Sequence, residues 1–166
     1  MKRFILALIC IILLVLDNSV MPFFAIKTVY PSLLFCFILS YSIINGMEEA
    51  VIIGVFSGLL QDIYFYKFYG VNAFINLFIC LIAAYIGENI FKHKRFIPVF
   101  SAFSLTILKY IIIFIMLYLL KVTMIFDSRV LVSAIYNMLI VFFMYKRIYR
   151  FSNRDYMKEQ WKFNKK

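Results

Sequence analysis

Apolar residues run along this chain in six long blocks, 4–20, 29–44, 50–66, 71–90, 97–120 and 130–145, separated by short stretches that hold most of its charge. A bilayer core of roughly 30 Å takes about 20 mostly apolar residues per helix, so the blocks predict six membrane-spanning helices. No charge interrupts 5–16 or 111–120, whereas a membrane β-barrel needs segments of about ten residues alternating in polarity. The expected fold is all-α and integral to the membrane: a six-transmembrane-helix bundle over residues 1–145 and a basic cytoplasmic tail over 146–166. The block 29–44 fits a bilayer least well. With Pro31 in its first turn, it predicts a helix that tilts, thins the bilayer locally or packs as a short buried element.

Composition leaves room for little else, because 65% of the 166 residues are hydrophobic. The 18 Lys and Arg supply orientation, since cytoplasmic loops near the membrane are enriched in cations. Six spans put both ends of the chain on one side. That side collects Lys2, Arg3, Lys92, Lys94, Arg95 and every cation from Lys146 onward, against Lys27, Lys67, Lys121 and Arg129 on the other. Both termini are expected in the cytoplasm. The basic start and apolar run also resemble a secretory signal, but Asp17-Asn18-Ser19-Val20 offers no small-x-small cleavage pattern, so a retained first helix is expected.

Catalytic chemistry finds little to work with. A Ser or Cys nucleophile needs a neighbouring base, and the single histidine, His93, lies among the cations of the 92–95 loop. Five glycines form no phosphate-cradling loop. Cys10, Cys36 and Cys80 fall in three different spans without CxxC spacing, which reads as small apolar packing rather than a disulfide framework or metal site. Neither cofactor nor metal is expected. An intramembrane acid-protease pair of Asp17 and Asp62 would require glycine or tyrosine neighbours that 15–18 and 60–63 lack.

Polar residues inside the spans carry more. Ala50, Gly54, Gly58 and Asp62 recur every four residues in the third span, with Ser57 beside them, and Asn72, Asn76, Cys80, Ala84 and Glu88 repeat that spacing in the fourth. Small residues at this interval let helix backbones approach, so the two stripes predict an antiparallel pair joined by the turn Lys67-Phe68-Tyr69-Gly70. Gly54, Gly58, Asp62, Gly70 and Asn72 are the candidates for helix packing or for binding a partner. In the partner reading, Gly58→Leu breaks association and leaves the bundle folded. Counting about 1.5 Å per residue from the cytoplasmic ends, Asp17, Asp62 and Lys109 all lie roughly 18 to 20 Å deep. Buried charges tend to pair, so Lys109 is expected to meet Asp62 or Asp17; otherwise the carboxylates reach the interface and the lysine snorkels.

Lys146, Arg147, Arg150, Arg154, Lys158 and Lys162 stand in the tail among Tyr149, Phe151, Tyr156, Trp161 and Phe163. Such a segment suits an anionic inner leaflet or a cytoplasmic partner. Topology accounts for the charge, so no nucleic acid is implied.

Gly54-x-x-Ser57-Gly58-Leu59-Leu60-Gln61-Asp62, seven residues, then Gly70-x-Asn72-Ala73 resembles the signature of the rod shape-determining protein MreD family, and length, spans and cationic ends agree. Where that family often carries proline before the glycine aligned with Gly70, this chain has Phe68 and Tyr69. The resemblance implies a non-catalytic inner-membrane subunit of the cell-elongation machinery. It would bind the bitopic protein MreC and, with it, MreB filaments and the glycan polymerase and transpeptidase that insert peptidoglycan. The family is also similar in fold to the substrate-binding subunits of energy-coupling-factor vitamin transporters. That similarity implies an alternative in which Asp17, Asp62, Asn72 and Lys109 line a vitamin pocket, although the first span offers only Ala7 and Cys10 as small docking residues.

Overall fold

The computed structural model describes residues 2–26, 29–65, 70–89, 96–119, 121 and 129–154. Among them are six α-helices: α1 Lys2–Ser19, α2 Leu33–Asn45, α3 Met47–Phe65, α4 Val71–Glu88, α5 Phe96–Leu119 and α6 Arg129–Ser152. A 3-10 turn, Met21–Phe24, follows α1, and each predicted block contains one helix. His93, Lys158, Lys162 and the turn 66–69 lie outside the described residues.

Three helices, α4, α5 and α6, are long and apolar enough to cross a membrane. The helices α1 and α3 carry three charged residues each, Lys2, Arg3 and Asp17 in one and Glu48, Glu49 and Asp62 in the other. The shortest is α2, whose 13 residues rise only about 20 Å. The expectation that 29–44 is helical throughout fails at its start. Pro31 disfavours helical geometry at Tyr30, Ile26 and Val29 form an antiparallel bridge, and the helix begins only after Ser32, whose hydroxyl accepts from the Phe35 N–H.

Short as it is, α2 is the centre of the molecule. Every residue from Leu34 to Ile44 is buried, and the helix touches all five others. Around it, α1, α3, α4, α5 and α6 follow one another in contact. A helix apolar on all sides buries all of them, and only neighbours with small residues can come close. Gly87 of α4 meets α2 in this way: a β-carbon there would overlap the Ile43 carbonyl. The outer faces carry exposed Leu8, Ile11, Ile12 and Val15 on α1, Phe100, Ile111 and Ile115 on α5, and Leu131, Ile135 and Leu139 on α6, surface that only an apolar solvent accommodates over such an area.

The two ends of the bundle differ. At the end where Lys2 and Ser152 lie, Gly46 takes a φ of 90°, a left-handed value open to glycine, and turns α2 directly into α3. There Lys2 bonds Glu49 at 2.8 Å, Tyr41 donates to the same carboxylate, and Ser152 donates to Asn45 at 2.6 Å. The last contact belongs to a continuation: α6 runs seven residues past the expected start of the tail at 146, with Lys146, Arg147 and Arg150 exposed and Ile148 and Ser152 buried. The opposite end, the far end, holds Asp17 and Asp62 with the groups that bond them.

Candidate functional site

Helix N-termini leave N–H groups without partners, and inside a bilayer no bulk water supplies them. Two carboxylates of this chain fill that need. Asp62, near the end of α3, accepts from the N–H groups of Gly70, Asn72 and Ala73 at 3.0, 2.9 and 3.0 Å. Gly70 has no side chain to cap α4, and its φ of 91° folds the chain back so that all three donors converge on one carboxylate. Asp17, near the end of α1, does the same for α2. It takes the Ser32 hydroxyl at 2.8 Å and the Leu33 and Leu34 N–H groups at 2.6 and 3.1 Å.

Below Asp62 the two stripes meet as their spacing predicts. A β-carbon at Gly58 would overlap Ala73 Cα and the Asn72 carbonyl, and one at Gly54 would stand 3.0 Å from Leu77 Cα. The α3–α4 pair has the most extensive interface in the bundle. Gly54, Gly58 and Asp62 therefore serve packing within the chain. The partner reading of Gly58→Leu fails on geometry, because a leucine there would strike the α4 backbone before it met anything outside. Gly70, exposed, and Asn72, half-buried, remain at the surface.

The expected ion pair of Lys109 with Asp62 or Asp17 is also absent among the described residues. Lys109 Nζ donates to Asn76 Oδ1 at 3.0 Å and lies 4.2 Å from the centre of the Phe35 ring. Asn76 in turn donates to Gln61 at 3.0 Å, so a chain of amides carries the cation from α5 across α4 to α3. Both carboxylates are held by helix N-termini instead, where three converging donors and the positive end of the helix dipole offer more than one distant ammonium.

These groups surround a cavity of about 590 Å³ at the far end, walled by all six helices. Asp17, Asn72 and Lys109 line it; Asp62 does not. Sequence reading missed the wall formed by α5 and α6. There Asn137 accepts from the Ser32 N–H at 3.1 Å and donates to Thr106 at 3.4 Å, while Tyr110 and Ser133 share a bond of 3.1 Å. The signal was present as Thr106, Lys109 and Tyr110 at helical spacing, and as Ser133 and Asn137 four residues apart. Among the described residues no group of His, Cys, Asp and Glu could hold a metal ion.

A protein-family model, that of the rod shape-determining protein MreD, matches residues 1–153. No curated protein and no solved structure matches the chain.

Proposed function

The chain belongs to the MreD family, a membrane protein family with a role in rod shape determination, and from that premise we propose that it acts as a non-catalytic subunit of the cell-elongation complex in the bacterial cytoplasmic membrane. The family match over nearly the whole chain carries the reading. On this reading all six helices are embedded, both termini face the cytoplasm and the far end faces outward, as the distribution of cations supports. We read the fold as similar to that of the substrate-binding subunits of energy-coupling-factor transporters, a likeness that does not fix activity.

The partner at the far end is MreC, a protein with a single span, and through it MreB filaments and the glycan polymerase and transpeptidase. The exposed rim suits such a partner: Phe23, Phe24, Ile63 and Phe74 crowd it with apolar side chains, and Gly70 and Asn72 sit among them. Large apolar anchors with a few polar groups are what protein interfaces are built from. At the other end Lys146, Arg147 and Arg150, with the cations that follow, hold the anionic inner leaflet.

Affinity purification from the protein's own membranes in mild detergent, with mass spectrometry of what accompanies it, tests this. Recovery of MreC, lost when Phe23 and Phe74 are both replaced by Ala, is the expected result. Recovery of transporter ATPase subunits in its place would overturn the reading in favour of vitamin uptake.

A further inference from the structure

The outer surface of the bundle gauges the layer around it. On α1 the exposed apolar face lies between Arg3 and Ser19, on α4 between Asn72 and Glu88, and on α6 between Arg129 and Lys146. At 1.5 Å per residue these intervals rise about 24, 24 and 26 Å. On α3 the rise from Glu48 to the end of the helix at Phe65 is again about 26 Å. A typical hydrocarbon core is roughly 30 Å thick, so four outer helices fall short of it by about 5 Å, and any tilt shortens their span further. Lysine and arginine can stretch toward the head groups, but serine, asparagine and glutamate cannot, and these set at least one limit on α1, α3 and α4.

Two features that could lengthen this belt do not. Phe23 and Phe24 are exposed beyond Ser19, yet the Phe24 carbonyl accepts from the Tyr136 hydroxyl at 3.2 Å, and Tyr136 lies two turns inside Arg129 on α6. The chain after α1 therefore folds back alongside α6 instead of running outward. Helix α5, with 24 residues, is longer than the belt, but its excess lies at one end. The bond of Asn137 to Thr106 is a rung between α6 and α5. From that rung Phe96 lies about 15 Å and Lys146 about 14 Å toward the end that holds Ser152, whereas Leu119 lies about 20 Å and Arg129 about 12 Å toward the far end. The two helices are level at the first end, and α5 overshoots the belt only at the second.

We infer that the lipid-facing surface fits a hydrocarbon layer of about 25 Å, so that the protein thins an ordinary bilayer around itself and favours membrane that is already thin. The inference rests on the embedding of all six helices and names the kind of lipid layer the bundle takes. A short belt also draws membrane proteins of similar span together, because two of them side by side strain less lipid than two apart.

The test places the full chain in vesicles of dimyristoleoyl, dioleoyl and dierucoyl phosphatidylcholine, whose neutral head groups keep the attraction of Lys146, Arg147 and Arg150 to anionic lipid out of the comparison. Thermal unfolding followed by helical circular dichroism is expected to show its highest midpoint with the shortest chains and a fall of about 5 °C with the longest. The double variant Lys146→Leu, Arg147→Leu extends the apolar run of α6 by about one turn and should narrow that fall. Lamellar diffraction from dioleoyl bilayers gives a second reading that needs only the wild type: the distance between phosphate layers should shrink as protein is added. A highest midpoint in dioleoyl or dierucoyl vesicles overturns the inference, as does a phosphate distance that holds constant or grows with protein content, or a fall of the same size in the folded double variant. A chain that enters none of the three bilayers overturns the embedding itself, and the inference with it.

Discussion

Asp17 and Asp62 each stand near the end of one helix and cap the next, each with three donors, yet their surroundings differ. Asp62 closes over a seam where glycines bring two backbones into contact, and it lies outside the cavity. Asp17 opens onto the cavity together with Ser32 and Asn137. The same device thus seals one helix pair and borders a site at the other. What separates the two is the packing underneath: glycine at every fourth position below Asp62, and Leu13 and Ile9 below Asp17.

The difference is tested most severely at the seam. Gly58→Ala forces α4 to move, since the added carbon overlaps backbone that cannot rotate away. A loss of about 3 kcal/mol or more is expected, read as a lower unfolding midpoint and as poor recovery of folded protein from membranes. Gly54→Ala, with its nearest neighbour at 3.0 Å, should cost about 1 kcal/mol. Equal effects at the two positions would mean that the seam is looser than its geometry.

The two carboxylates should separate next. Asp62→Ala leaves three N–H groups without their acceptor, two of them on half-buried residues above the seam, a loss of roughly 3 kcal/mol. Asp17→Ala leaves two N–H groups and the Ser32 hydroxyl, but water entering the cavity can accept from them, so roughly half that loss is expected by the same unfolding measurement. If Asp17→Ala proved the more damaging, the cavity would be dry and the contrast between the two caps would be wrong.

Much of the seam was legible because its signal is periodic. Glycines and amides four residues apart have one plain use in a membrane helix, and Ala50, Gly54, Gly58 and Asp62 announced both the pair and its register. The role of Asp62 was not legible. A carboxylate in a span reads as a charge seeking a charge, and only the fold reveals three backbone donors in its reach. The same bias misassigned Lys109, whose partner Asn76 was already on the matching stripe. Gly87 was passed over for another reason: with Ala83 it forms a small-x-x-x-small pair, but its target, the Ile43 carbonyl, lies on a helix whose central position no local pattern encodes. Likewise, the cavity depends on how six helix ends are spaced, and periodicity within one helix carries no such information.

The smallest expected effect sharpens the comparison from the opposite end of α3. Glu49 there also accepts two bonds, from Lys2 at 2.8 Å and from Tyr41 at 3.3 Å, but its donors are side chains of two other helices rather than the backbone of a helix N-terminus. Lys2, at the end of the bundle, can turn to water when the charge is lost, and a glutamine oxygen still accepts from the buried Tyr41, so the loss stays near the top of the range of about 0 to 1 kcal/mol that exposed pairs contribute. Glu49→Gln should therefore lower stability by about 1 kcal/mol, and added salt should shrink that difference. Asp62→Asn, on the same helix, keeps the size of the side chain and loses only its charge and one acceptor, so salt should leave its larger deficit unchanged. Measuring both variants at low and high salt isolates what the far-end carboxylate does: it is the backbone donors gathered by Gly70, rather than the charge of the residue as such, that make Asp62 structural. Matching salt responses would instead place Asp62 in the same class as Glu49, an acid held by a cation, and the cap would lose its claim to hold the seam shut.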